Sequence, residues 1–598
     1  VNSDGDVTSI FDKKLNRELL SAPARLAFQT EKPSQWPAWN MDWSDQSKPP
    51  RGYVGGPAKI SIVENGPVRV ALRVEREAEG SKFVQTIRLS AGDAGNRVEF
   101  ANSIDWKTRE AALKATFPLT ASNLDATYNW GAGTLERPTD NDKMFEMPSH
   151  RWFDLTDKSD DFGVTILSGA KTGSDKPADN TLRLTLLYTP GVSDAGQSYR
   201  DQGSQDFGHH EFVYGLSSHA GGWRDGDTVW QAYRLDAPMI AFVTAKHRGA
   251  LGKTLSLLKV SDNGVRVMAF KKAEENNDEV VRLVEMNGKP RRGVRVSFAA
   301  PVITAREING QELPVGPASI AGGDLIADFA PYEIKTYEVK LAPARARSMP
   351  PRSQTVPLHY DLAAASNDGE KSTGGFDAAG NALPAELLPV EIAYSGIHFK
   401  LAAAAGKPDA VIARGQTIHL PPGKFNRVYL LAASAGGDQQ ATFKVGDTSA
   451  DLTIQNWGGY IGQSYDRSFK MEARAVPPEP DASDTSQPAQ RIRRFRAYVQ
   501  KHGPIMLPHF TGMTPGFIKR APIAWFASHH HTSGGANVPY AYSYLFAYAL
   551  DLPAGAKTLT LPDNDKIRIL AITVSDEPAQ THPAQRLYDT TEQVAGPQ

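Results

Sequence analysis

The stretch Thr181-Leu182-Arg183-Leu184-Thr185-Leu186-Leu187-Tyr188 alternates apolar and polar side chains with a period of two. That period belongs to a half-buried β-strand, because successive side chains of a strand point to opposite faces. Val68-Arg69-Val70-Ala71-Leu72-Arg73-Val74 and Ala58-Lys59-Ile60-Ser61-Ile62-Val63 repeat it. Helical periodicity is scarce elsewhere, and 51 Gly with 41 Pro supply the turns that many short strands need. Stacked antiparallel sheets follow, and a chain of 598 residues must divide them among several cores. The expected fold class is all-β.

Outward from that stretch, strands continue without a linker over residues 1–248, which predicts one large two-sheet sandwich. Residues 249–342 form a second, smaller β-sandwich, with hairpin turns expected at Asn287-Gly288 and Asn309-Gly310. Residues 343–354 are Pro-rich and basic, an extended linker. Residues 355–598 are strand-rich again and predict a jelly-roll sandwich, interrupted by a polar surface loop from Pro477 to Gln490. The basic cluster Arg491-Ile492-Arg493-Arg494-Phe495-Arg496 reads as a solvated helix face.

Composition excludes several function classes. Lys+Arg is 66 against 67 Asp+Glu, so the net charge of -1 gives no electrostatic case for nucleic acid or an anionic membrane. Without cysteine, disulfides, thiol catalysis and Cys-ligated zinc are excluded. No apolar run is long enough to span a bilayer as a helix. The opening Val1-Asn2-Ser3-Asp4-Gly5-Asp6 has neither a basic n-region nor an apolar h-region, and Val7-Thr8-Ser9-Ile10-Phe11 already reads as a strand. Such a chain is expected to be a piece of something longer.

Two stretches carry the densest chemistry. They are Phe145-Glu146-Met147-Pro148-Ser149-His150-Arg151-Trp152-Phe153-Asp154-Leu155 and Phe207-Gly208-His209-His210-Glu211-Phe212-Val213-Tyr214-Gly215. Aromatic faces pack on sugar C–H bonds while His, Arg and acids bond hydroxyls, so both suit carbohydrate. His150 and Trp152 are predicted to share one strand face, with Arg151 on the other; a sugar-facing wall and a half-buried strand at a domain junction both fit. His210-Glu211 begins like a zincin motif, but Tyr214 stands where the second His is needed. His529-His530-His531, after Trp525 and before a Gly-rich loop, can serve calcium, zinc or sugar. The tyrosines that follow at steps of two fit a binding face or core stacking equally. Trp36-Pro37-Ala38-Trp39-Asn40-Met41-Asp42-Trp43 holds too much aromatic area for a solvated loop, so it docks on another domain or lines a pocket. The substrate-binding candidates are His150, Trp152, His210, Glu211, Trp525, His529 and His531. No sequence-local enzyme signature occurs, and no catalytic or metal-ligating residue is assigned.

At these motifs the chain resembles the C-terminal half of family 38 α-mannosidases, in their vacuolar and bacterial branch. The resemblance rests on Asp6-Val7-Thr8-Ser9-Ile10-Phe11-Asp12-Lys13-Lys14 with Arg17-Glu18-Leu19-Leu20, and on Trp36-Pro37-Ala38-Trp39 with Asp42. It continues in order through Glu146-Met147-Pro148-Ser149-His150-Arg151-Trp152, Asn180-Thr181-Leu182-Arg183-Leu184-Thr185-Leu186-Leu187 and His210-Glu211-Phe212. Pro331-Tyr332-Glu333-Ile334-Lys335-Thr336-Tyr337 is similar to the close of the family's small terminal sandwich. The last unit resembles a galactose-binding-like jelly roll appended to some bacterial members. The resemblance implies a galactose-mutarotase-like supersandwich for the first unit. It also implies a retaining hydrolase of terminal α-mannosides whose zinc and nucleophilic Asp lie in an N-terminal catalytic domain. That domain's His-x-Asp-Pro-Gly-Trp type motif does not occur here, so this chain is expected to hold no cofactor, and its partners are that domain and α-mannoside glycans. His150, Trp152, His210 and Glu211 then face the substrate cleft of the assembled enzyme. The alternatives are a stand-alone carbohydrate-binding protein and an epimerase with His210 as base and Glu211 as acid. A scaffold should expose Trp36, Trp39 and Trp43, whereas a stand-alone binder should bury them. A glycan forager of this kind is expected in the periplasm or outside the cell, with the cytoplasm as the other option.

Overall fold

A computed structural model describes all residues except 192–204, 245, 247–248, 250, 344–350, 403–405, 460, 464–465, 515–516, 519–521, 578–580 and 585–598. Most of the expected linker and the start of the Gly-rich run before Phe207 lie outside the described residues. The chain divides into two compact units: Val1–Met239, Leu251–Arg345 and Arg467–Gly512 form one, and Ile240–Ala250, Ala346–Asp466 and Met513–Gln598 the other.

In the first unit, a nine-stranded antiparallel sheet runs Gly133–Pro138, Asp125–Trp130, Trp152–Thr156, Phe162–Leu167, Gly208–Ala220, Arg97–Trp106, Ser81–Ser90, Arg69–Ala78 and Lys59–Asn65. A six-stranded sheet runs Met147–Pro148, Gly173–Ala178, Thr181–Thr189, Ala111–Pro118, Arg25–Thr30 and Gly52–Tyr53. Between them lies one core, with Leu26, Phe28, Leu113, Phe117, Leu182 and Leu184 from the smaller sheet and Phe83, Phe100, Ile104, Phe153, Val164 and Tyr214 from the larger. This is the expected supersandwich. The doublet Leu186-Leu187 breaks the alternation because the register shifts between Thr185 and Leu187, and the bulge buries both leucines.

The six-stranded sheet hides its second face as well. There Arg183 forks onto Asp175 (Nε–Oδ1 2.6 Å, Nη2–Oδ2 2.5 Å), and Lys114 Nζ donates to Asp175 Oδ2 at 2.8 Å. Lys114 also pairs with Glu146, whose other oxygen accepts from Thr185 Oγ1. Burial alone would raise the Asp175 carboxyl, and Lys114 and Arg183 overcome it, holding the group below the usual carboxylate range. From this cluster polar bonds run into residues 31–48. Arg183 Nη1 donates to Gln29 Oε1, Gln29 Nε2 to the Asp45 carbonyl, Lys32 N–H to Asp45 Oδ2 and Tyr188 OH to the Asn40 carbonyl. Gln46 Nε2 donates to Glu31, whose second oxygen is buried without a partner. Burial pushes the Glu31 carboxyl up to about 8, against the pull of Lys114. It is therefore neutral inside at pH 7.

The small sandwich packs a four-stranded sheet (Leu258–Val260, Arg291–Phe298, Asp324–Phe329, Ser319–Ala321) on a five-stranded one (Val265–Lys272, Glu279–Glu285, Ile334–Leu341, Val302–Ile308, Pro314–Pro317). Asn309-Gly310 opens a hairpin, with Asn309 Oδ1 accepting from the N–H groups of Gln311 and Leu313. Asn287-Gly288 does not: it carries the chain from Glu279–Glu285 in one sheet to Arg291–Phe298 in the other. Gly288 has φ +65°, and a Cβ there would stand 2.7 Å from the Tyr332 ring. Close approach, not hairpin chemistry, selects that glycine.

Also in this unit, Ser486 caps the helix Gln487–His502 by accepting from the Ala489 N–H, and Gly503 ends it at φ +83°. The basic cluster lies on this helix, with Arg496 paired to Glu479 in the preceding polar loop.

In the second unit, one sheet orders Arg352–Val356, Asp563–Asp576, Arg427–Ser434, Asn537–Asp551 and Ile523–His531, with Val411–Arg414 also paired to Asp563–Asp576. The facing sheet holds Thr417–His419, Thr558–Thr560, Gln439–Val445 and Thr448–Ile454. Tyr544, Phe546 and Tyr548 lie in the core between them, so core stacking claims these rings.

Asp175→Ala leaves Arg183 buried without its counter-charge and Lys114 with Glu146 alone, and urea unfolding should show a loss of about 3–5 kcal/mol. Glu31 carries a folded pKa above its unfolded 4.5, so its favourable contribution is complete below pH 4.5 and is lost as pH rises toward about 8. Glu31→Gln should therefore gain on the wild type between pH 5 and pH 8; an unchanged gap would contradict the neutral assignment.

Candidate functional site

Trp152 begins its strand rather than continuing one from His150, so period-two facing does not extend back to the histidine. The indole is buried against Trp223 (centroids 4.8 Å apart) among Leu167, Val229, Ala232, Val284 and Met286. This satellite core joins the supersandwich, the helix Thr228–Asp236 and the small sandwich. Trp152 therefore packs the junction.

Beside it, His150, Arg151, Tyr233, Asp236, Arg266 and Met268 line a cavity of about 680 Å³. His150 Nδ1 accepts from the Gly131 N–H at 2.8 Å, which leaves the proton of the neutral ring on Nε2. Its ring lies 5.1 Å from half-exposed Trp130, making one aromatic wall. Arg151 is paired to Asp236, and the Arg151 and Arg266 guanidinium carbons lie 4.5 and 4.2 Å from the Tyr233 ring centroid. Burial raises the Asp236 carboxyl despite Arg151, and its Oδ1 has no partner. Burial lowers the Arg266 guanidinium, and its Nε also has none. An imidazole, an Arg–Asp pair and a second guanidinium gathered round one cavity are groups able to hydrogen-bond hydroxyls.

Of the four expected rim residues, only His150 lines this cavity. His210 sits on Gly208–Ala220 opposite Ile104, with Nε2 2.8 Å from the Asp206 carbonyl. Glu211 is exposed and lies 3.5 Å from His209, whose other nitrogen is 2.7 Å from Asp105. That bond raises the His209 pKa, opposed by partial burial. Sequence reading missed Asp236, Tyr233 and Arg266. They join His150 and Arg151 across long separations, 85 residues for Arg151 and Asp236, and no local pattern marks them.

The Trp36–Trp43 loop stands open. Trp36 and Trp39 stack at 6.0 Å and 10°, and are 51% and 78% exposed. Trp43 lies 5.4 Å from Phe145.

In the second unit, Trp525 Nε1 donates to the Leu387 carbonyl at 3.2 Å. His529 and His531 share one face of Ile523–His531, and each Nε2 lies 3.2 Å from Glu386 Oε1. His530 faces the other way, with its ring 5.3 Å from Trp457.

Residues 1–195 match the family described as "Glycosyl hydrolases family 38 C-terminal domain", and residues 264–337 match its "C-terminal beta sandwich domain". Residues 352–578 match the "AziU2-like beta-sandwich domain". The chain is 28% identical over 315 residues to alpha-mannosidase 2C1 of Mus musculus, covering 51% of this chain and 29% of that protein. It is 28% identical over 251 residues to alpha-mannosidase of Saccharomyces cerevisiae, covering 39% of this chain and 22% of the relative. The crystal structure of an alpha-mannosidase from Enterococcus faecalis superposes with a TM-score of 0.47 at 18% identity, over 57% of this chain and 41% of that one. The chain thus spans less than a third of the curated relatives it matches. Those ordered matches, with the supersandwich and the small sandwich in sequence, make this chain the carrier of a C-terminal region of the glycoside hydrolase family 38 α-mannosidases.

Proposed function

We propose that this chain is the scaffold and substrate-rim portion of a retaining α-mannosidase, acting on terminal α-mannosides when joined to a family 38 catalytic domain. The observation that carries this reading is the open Trp36–Trp39 stack. The two stacked indoles stand out on a loop tied to the buried charge cluster. Such a face is shaped for a partner surface, and the partner is the catalytic domain of the same enzyme.

Among the described residues of the family 38 region, no three His, Asp or Glu side chains converge as a metal site. The zinc and the attacking carboxylate come from the partner domain, where the metal holds sugar hydroxyls. This chain's own contribution is positional. His150 and Tyr233 offer ring faces to a sugar, and the Asp236–Arg151 pair and Arg266 offer hydroxyl partners.

The purified chain should show no hydrolysis of 4-nitrophenyl α-mannoside, with or without zinc, and should gain it on mixing with a family 38 catalytic domain. Zinc-dependent turnover by the chain alone, lost in His210→Ala, would overturn the reading. The double variant Trp36→Ala, Trp39→Ala should bind the catalytic domain about 10–100-fold more weakly by sedimentation, with an unchanged unfolding midpoint. Equal binding would remove the Trp loop from the interface.

A further inference from the structure

The second unit holds a cluster that the mannosidase reading does not use. Glu386, His529 and His531 bring one carboxylate oxygen and two imidazole nitrogens within 4.8 Å of one another. The two histidines are two apart on one strand, so both rings leave the same face. Between Ala527 and His529 the strand shifts register against Asn537–Asp551, and the Ser543 hydroxyl holds the His529 carbonyl at 3.2 Å. Glu386 arrives from the short turn Ala385–Leu387.

We propose that Glu386, His529 and His531 form a binding site for a divalent transition-metal ion of the zinc class. Three features of the cluster support this beyond proximity. The first is the donor set. Two neutral imidazoles and one carboxylate suit zinc and its neighbours, whereas calcium and magnesium take oxygen ligands. The second is spacing. Glu386 Oε1 lies 3.2 Å from each imidazole Nε2, and a tetrahedral zinc sets its ligands about 3.3 Å apart. Two of the three ligand–ligand distances therefore already have the tetrahedral length, and the two imidazole nitrogens lie within 4.8 Å.

The third feature is the support behind the ligands. His531 is fully buried, and its Nδ1 lies 3.0 Å from the Ser366 hydroxyl. With the Nδ1 proton donated to that hydroxyl, the Nε2 lone pair is presented to the cluster, as metal-ligating histidines require. The His531 backbone is locked in turn, since it exchanges both its N–H and carbonyl bonds with Ala382 at 3.0 and 2.9 Å. Trp525 clamps the Leu387 carbonyl and so holds the Glu386 turn. Glu386 is about a third exposed, so solvent reaches the cluster from its side, while His531 is closed off. Three protein ligands leave a tetrahedral ion one further position toward that opening.

Among the described residues the other histidine–carboxylate groups lack this convergence, and buried His219 meets Asp154 alone. His209 stands between Asp105 and Glu211 with its two nitrogens pointing to different acids, and His398 meets Glu391 alone. Each offers one imidazole on an exposed surface. Only a lattice of one nitrogen and scattered oxygens results, which holds zinc weakly.

The test is isothermal titration of Zn²⁺ into the whole chain after dialysis against a chelator, with Co²⁺ absorption as a second readout. One ion should bind per chain, with visible Co²⁺ bands of a four-coordinate site. Glu386→Gln and His529→Ala should each weaken binding at least about 100-fold, while His209→Ala leaves it intact. Both variants alter partly exposed side chains, and the unfolding midpoint without metal reports whether each is folded. If His529→Ala is unfolded, His529→Gln takes its place. Absence of a stoichiometric site in the wild type would overturn the assignment. So would Zn²⁺ affinity unchanged in folded Glu386→Gln and His529 variants.

Discussion

The charge cluster beneath the six-stranded sheet constrains everything built on the first unit. Lys114, Asp175, Arg183 and Glu146 are buried together, and ions removed from water persist only where each meets an opposite charge and hydrogen bonds. Lys114 and Arg183 face Asp175 and Glu146, while burial pushes the Glu31 carboxyl toward its neutral form. The arrangement also fixes strand register. A one-residue slip of Thr181–Thr189 would turn Arg183 into the apolar core and lift Leu182 and Leu184 out of it. The network then reaches through Gln29 and Asp45 to residues 31–48, so the sheet that sets the fold also sets the tryptophan loop.

Much of this was readable in the chain itself. Alternation at residues 181–188, 68–74 and 58–63 marked strands that the structure contains, since period two has no helical counterpart. Failures came where a local signal has two physical causes. Asn287-Gly288 looks like a hairpin turn, yet its glycine exists to admit the Tyr332 ring between sheets. His150 and Trp152 looked coplanar on a strand, but the strand starts only at Trp152. Of Trp36, Trp39 and Trp43, which a scaffold should expose, the first two stand exposed and Trp43 is half-buried against Phe145.

The cavity was beyond local reading for another reason. Its charged lining comes from the turn before one strand, the end of a helix and the strand Val265–Lys272 of the small sandwich. Such sites form where packed layers meet and are defined by tertiary packing rather than by motif. The junction is held by Trp152 and Trp223, and by Tyr332, whose hydroxyl lies 2.7 Å from Thr134 Oγ1 across the two sandwiches. The same lesson applies to His529-His530-His531. Three identical residues divide between two environments because strand geometry sends neighbours to opposite sides.

Trp36 holds a left-handed backbone at φ +53°, a conformation that costs a bulky residue on the order of 1–3 kcal/mol. It persists because the loop around it is already tied down: Asp42 accepts from the Ser34 N–H and from Asn40 Nδ2, and Tyr188 holds the Asn40 carbonyl. The loss of freedom that usually opposes capture of an aromatic loop has thus been met during folding. Any association through these indoles should carry the negative heat-capacity change of apolar burial, with little ordering entropy of this loop against it.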